Sequence, residues 1–124
     1  MPRTMKGVGI LTLGFVLALN AAAGAAPITS VETYTTKSFT IVPENVAVVQ
    51  HVEADARGIV VAVRGNACMG NGPTLTLLVH GATLAEFRAG DVVATGVLWV
   101  NGNGTAAIRH VGADERKRLG CTLH

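Results

Sequence analysis

The chain has 124 residues, 49% of them hydrophobic and only 15% charged, with 15 glycines, two cysteines and a formal net charge of +2. That length holds one domain rather than several, and the composition excludes a disordered charged tail, which would be poor in apolar residues and rich in net charge. Where the charge sits matters more than its total.

Residues 1–25 take both surplus cations. Arg3 and Lys6 precede an apolar run, and the segment ends in alanine and glycine up to Ala25. A positive start, a short apolar middle and a small-residue end are the three parts of a secretory signal peptide. The apolar run of about 13 residues is shorter than the roughly 20 that a membrane-spanning helix requires. Cleavage is expected after Ala25, because a cut directly before Pro27 is unfavourable. Residues 26–124 then form a single exported β domain with eight Arg or Lys against eight Asp or Glu. A neutral domain lacks the electrostatic footprint of a nucleic-acid binder.

From residue 31 onward Val, Thr, Ile and Leu fall in short runs separated by glycine, a pattern that favours strands. Residues 31–42 form a Thr-rich run ended by Pro43. Residues 46–52 and 59–64 flank a hairpin connection, and residues 75–80 alternate Leu75, Leu77 and Val79 with Thr76, Leu78 and His80. Leu84 and Phe87 are expected to plug the core from an irregular stretch. Residues 92–100 and 105–111 surround Asn101-Gly102-Asn103-Gly104, a strong hairpin signal because Asn and Gly accept positive φ. Trp99 is expected in the core or beneath the C-terminal tail, with a ligand platform as the alternative. Asp114 to Leu119 makes a short helical turn, Asp114 capping it and Gly120 stopping it.

This order, with Phe87-Arg88-Ala89-Gly90-Asp91-Val92-Val93 entering the fourth strand and Val97-Leu98-Trp99-Val100 ending it, resembles the small OB-fold barrels, including compact periplasmic copper-binding members. The resemblance implies an all-β barrel of five to six strands with a short C-terminal helical turn; a β-sandwich is the alternative. No functional motif transfers, since Leu75-Thr76-Leu77 stands where the copper-binding members carry a Met-x-Met strand.

Two cysteines in an exported small domain predict one disulfide, Cys68–Cys121. Catalytic residues are not expected: Ser30 and Ser38 lie in no nucleophile elbow, and the carboxylate pairs Glu53/Asp55 and Asp114/Glu115 fall in polar connections. The segment 65–72 resembles a phosphate loop but lacks its lysine and hydroxyl. In the barrel arrangement the first, third and fifth strands end at one rim, which carries His51, His80 and His110. Three converging imidazoles, with His124 as a fourth, would bind copper or zinc. The principal expectation is an exported, non-catalytic binding domain without a cofactor, facing an envelope or extracellular protein or small ligand; the copper or zinc site is the alternative.

Overall fold

The computed structural model describes residues 28–70 and 72–123; residues 1–25, expected to be a signal peptide, lie outside them. One mixed sheet holds seven strands: β1 (Ile28–Val31), β2 (Thr33–Tyr34), β3 (Val46–Asp55), β4 (Gly58–Arg64), β5 (Thr74–His80), β6 (Val92–Val100) and β7 (Asn103–His110). Their order is β1-β5-β4-β3-β6-β7-β2. The fold is all-β, as expected. It differs from the expectation in having seven strands rather than five or six, in one sheet rather than the two layers of a sandwich.

The extra strands come from one N-terminal segment. Ile28 to Val31 pair in parallel with Thr76 to Val79 of β5, and after Glu32 the chain pairs in parallel with Ala107 and Ile108 of β7. Glu32 N–H donates to the Ala106 carbonyl at 2.9 Å and Thr35 N–H to the Ile108 carbonyl at 3.0 Å. One stretch of seven residues thus hydrogen-bonds to both β5 and β7. The strand expected through residue 42 stops at Tyr34, because the Thr35 hydroxyl accepts the Lys37 N–H at 3.0 Å, and such local side-chain bonds compete with a ladder.

Two clusters form the core. The first, on one face of the sheet, contains Val49, Ile59, Val61, Val79, Val93 and Ile108, each at most 1% exposed, together with Phe87. Leu84, expected beside Phe87, is 52% exposed on a short 3-10 turn (Leu84–Glu86). The second cluster lies on the opposite face, where Ile41, Val46, Ala67 and Ala94 are covered by Leu119, Cys121 and Leu123. A helix α1 (Ala113–Arg118) carries the tail back across that face. Its N-cap is Gly112 without a side-chain cap bond, so Asp114 does not cap it. Gly120, at φ +68°, turns the chain out of the helix as expected. The Cys68–Cys121 disulfide then ties the tail to the loop after β4.

Candidate functional site

The three rim histidines are not brought together, and strand phase is the reason. A β-bulge between Val49 and His51 adds one residue to β3, so Val52 and Ala54 follow Val49 onto the core side and His51 turns outward. There its Nε2 donates to Glu53 Oε2 at 2.9 Å. His80 shares the outward parity of Leu78 rather than that of core residues Leu77 and Val79, and it hydrogen-bonds Ser30 Oγ at 2.6 Å. His110 has the parity of Ile108 and faces the core side. Its ring stacks on Phe87 at 5.2 Å between centroids, and its Nε2 donates to the Glu86 carbonyl at 2.7 Å. His124 lies outside the described residues, and Cys121 is spent in the disulfide. Among the described residues no group of three or more His, Cys, Asp or Glu is placed to hold a metal ion.

Ser30 and His80 are a nucleophile and a base within hydrogen-bonding reach, a pairing the sequence did not signal. Asp55 is the nearest orienting acid by register, two strands along the same row through Gly58. It is committed elsewhere: its Oδ1 accepts from both the backbone N–H and the Nε of Arg57. The Arg57 guanidinium, then its backbone N–H, hold the Asp55 carboxyl below the usual carboxylate range. Among the described residues no carboxylate bonds His80, so the pair lacks the third member that fixes an imidazole for catalysis.

A concavity lies along the distal half of β6. It is a groove of about 430 Å³ lined by Ser38, Phe39, Thr40, Asn45, Gly96, Val97, Leu98 and Trp99. Its origin is a mismatch of strand lengths. The far half of β6 pairs with β7 as far as Val100, but β3 pairs with β6 only from Val46 to Val48, opposite Ala94 to Val92. Pro43 opens a 3-10 turn (Pro43–Asn45) immediately before β3, so the chain veers off and Thr95 to Val100 have no strand neighbour on that side.

The hairpin turn sets which backbone groups face the groove. Asn101 and Gly102 have φ of +52° and +80°, the two positive values of a type I′ turn. In such a two-residue hairpin Val100 and Asn103 exchange hydrogen bonds, and the direction then alternates. Leu98 and Gly96 therefore point their N–H and C=O at β7, while Thr95, Val97 and Trp99 point theirs at the groove. Further up the strand the Asp91 carbonyl accepts from Val49 of β3 and the Val92 carbonyl from Val111 beyond β7, which is the same alternation. Among the described residues no backbone bond joins 95–100 to any segment other than β7.

Side chains complete the site. Trp99, expected in the core or under the tail, is 68% exposed. Its indole lies over Gly104, directly opposite on β7, where an added Cβ would come 3.0 Å from the ring. One face of the indole is thus supported and the other is free. Phe39 packs on Gly96, where a Cβ would stand 2.6 Å from its ring. Arg109 fixes Phe39 from behind: its guanidinium carbon sits 4.9 Å from the ring centroid and its Nη2 donates to the Phe39 carbonyl at 2.9 Å. Arg109 itself is 8% exposed and makes a two-pronged bond to Glu115, 2.7 Å to Oε1 and 2.6 Å to Oε2. The groove offers an aromatic plane, aliphatic Val97 and Leu98, the hydroxyls of Ser38 and Thr40, the amide of Asn45 and an open strand edge. None of its lining side chains carries a charge.

Sequence reasoning missed Arg109 and the place of Phe39 in the groove wall. The available signals were an arginine among apolar strand residues with a glutamate six residues on, and a tryptophan registered against a glycine across an Asn-Gly turn. No protein-family model, curated protein or solved structure matches this chain.

Proposed function

We propose that this chain is an exported, non-catalytic interaction domain of the bacterial envelope or extracellular space, and that it engages its partner through the groove along β6. The observation that carries the reading is the pairing of an exposed Trp99 plane with an unpaired strand edge in a groove without titratable side chains. A strand edge takes an extended segment by main-chain hydrogen bonds, and the flanking pockets select its side chains. Export is supported by the signal pattern of residues 1–25 and by the Cys68–Cys121 disulfide, which persists in oxidising compartments. Among the described residues no helix is long and apolar enough to cross a membrane. Eight cations against eight anions in residues 26–124 argue against nucleic acid as the partner.

The fold reading is an OB-like barrel. It is supported by the β5-β4-β3-β6-β7 order of the central strands and by the segment from Ile28 to Tyr34, whose bonds to both β5 and β7 would close the sheet on itself. Closure would remove two exposed edges and leave the distal part of β6, with the His51–Asp55 half of β3 at the other end, as accessible edges.

The test has two parts. The exported chain should begin at Ala26 by N-terminal sequencing. A photo-crosslinking amino acid at Leu98 should give an adduct in cells, whereas one at Glu53, at the opposite end of the sheet, should not. Export without an adduct at Leu98 would count against the groove.

A further inference from the structure

We propose that the groove along β6 binds a neutral saccharide, with one pyranose ring lying on the free face of Trp99. The proposal rests on the reading of the groove as the interaction site and names the chemical class of its ligand.

A pyranose ring carries hydroxyls around its rim and C–H bonds on its faces, so it is a disc with an apolar face and a polar edge. Trp99 fits the face. Its indole is 68% exposed, Gly104 backs one side of it, and the other side presents the electron-rich surface that attracts the positive end of C–H bonds. The Val97 and Trp99 side chains both lie over Gly104, where an added Cβ would stand 2.8 Å from the first and 3.0 Å from the second. The plane is therefore held in place before a ligand arrives, which lowers the ordering cost of binding.

The groove supplies partners for the polar edge as well. The Ser38 and Thr40 hydroxyls and the Asn45 side-chain amide line it, and among the described residues none of the three is hydrogen-bonded within the chain. Hydroxyl and amide groups both donate and accept, as sugar hydroxyls do. The N–H and C=O groups that Val97 and Trp99 point at the groove extend the same set. No charged side chain lines it, so a sugar bearing a carboxylate, phosphate or amine would lose hydration without gaining a counter-charge. A volume of about 430 Å³ falls within the roughly 300 to 1,000 Å³ of small-ligand sites, where apolar walls bind and a few polar groups orient. A peptide strand is the poorer match. It would bond the edge through its main chain and leave the Ser38, Thr40 and Asn45 groups without partners, and Asn45 shares a small pocket with Thr95, which crowds the edge there.

A glycan array probed with the exported, disulfide-bonded chain is expected to pick out neutral oligosaccharides. Titration with the strongest array binder, beside maltotetraose and cellotetraose, up to roughly 10 mM, a range that reaches weak small-ligand binding, should shift the emission of Trp99 saturably to the blue. Trp99 is the single tryptophan of the chain, so the shift reports this site. By calorimetry Trp99→Ala should weaken binding about tenfold or more and Trp99→Phe by less, since a smaller plane keeps part of the contact. Asn45→Ala, which removes one hydrogen-bonding group, should weaken it roughly three- to tenfold, and all three variants should melt as the parent does. Polygalacturonate, with a carboxylate on each ring, should not bind. No binding to any glycan, binding confined to charged glycans, or an affinity unchanged in Trp99→Ala would each overturn the proposal. The Leu98 photo-adduct separates this from the groove reading. An adduct that contains glycan supports the saccharide, an adduct with a protein bearing none overturns the saccharide and leaves the groove standing, and no adduct counts against both.

Discussion

Reduction of the Cys68–Cys121 bridge, or the paired substitution Cys68→Ala and Cys121→Ala, is expected to lower the melting temperature by about 15 to 30 °C. The bridge spans 53 positions in sequence, and closing a loop of that size in the unfolded chain removes entropy worth roughly 4 kcal/mol. For a domain of this length each kcal/mol moves the midpoint by about 4 to 8 °C. Total stabilities run only about 5 to 15 kcal/mol, so one bridge is a large share. Its position adds to the effect. Leu119, Cys121 and Leu123 are the lid over Ile41, Val46, Ala67 and Ala94, and without the bridge that lid is held by α1 alone. Circular dichroism melts with and without reductant measure the change. Trp99 emission is the wrong probe here, because the indole is already 68% exposed. A fall of only a few degrees would show that the tail stays docked through Arg109–Glu115 and the leucines without the covalent tie.

The five central strands were legible because β-branched runs and Gly or Asn turns act locally. Expected at 46–52, 59–64, 75–80, 92–100 and 105–111, they occur as Val46–Asp55, Gly58–Arg64, Thr74–His80, Val92–Val100 and Asn103–His110. Features decided by tertiary contact were not. The bulge in β3 reverses the phase of His51 relative to Val46 and Val48, and nothing local in Val-Val-Gln-His announces it. Leu78, on the face of β5 expected to be mixed, is 4% exposed, whereas Leu75 on the expected core side is 40% exposed, because Leu75 lies at the end of the sheet and Leu78 lies between Val60 and Ser30. Trp99 was placed inside on the general tendency of large aromatics to be buried. That tendency fails here because β6 outruns β3, a property of two strands at once. The same length mismatch creates the groove, so the candidate site was hidden for the reason that it exists.

Arg109→Ala is expected to cost about 2 to 3 kcal/mol, the range for charge-assisted hydrogen bonds, because Arg109 is buried while Glu115 keeps 26% of its side chain exposed. The side chain is 9% exposed and bonds Glu115, the Phe39 carbonyl and the face of the Phe39 ring, so its loss leaves the Phe39 carbonyl without that donor and opens a void under the loop. Replacing both partners, Arg109→Met with Glu115→Leu, should recover much of the loss, since an apolar pair leaves no uncompensated charge. The pair also predicts an acid limb. Hydrogen bonds from Arg109 hold the Glu115 carboxyl below its usual value of 4.5, so the folded state binds that proton less readily than the unfolded chain does. The stabilisation is therefore complete above about pH 4.5 and is lost as pH falls through the lower folded value. Glu115→Gln should melt well below the parent at neutral pH, and the gap should close progressively under acid; a gap independent of pH would show that the carboxylate charge contributes nothing. Function follows the same bonds. Arg109 pins the segment Ser38 to Thr40 that walls the groove, so Arg109→Ala, studied where it is still folded, should weaken the Leu98 photo-adduct although residue 109 lies outside the groove. Equal adduct yield in parent and variant would mean that the open strand edge and Trp99 suffice without the wall.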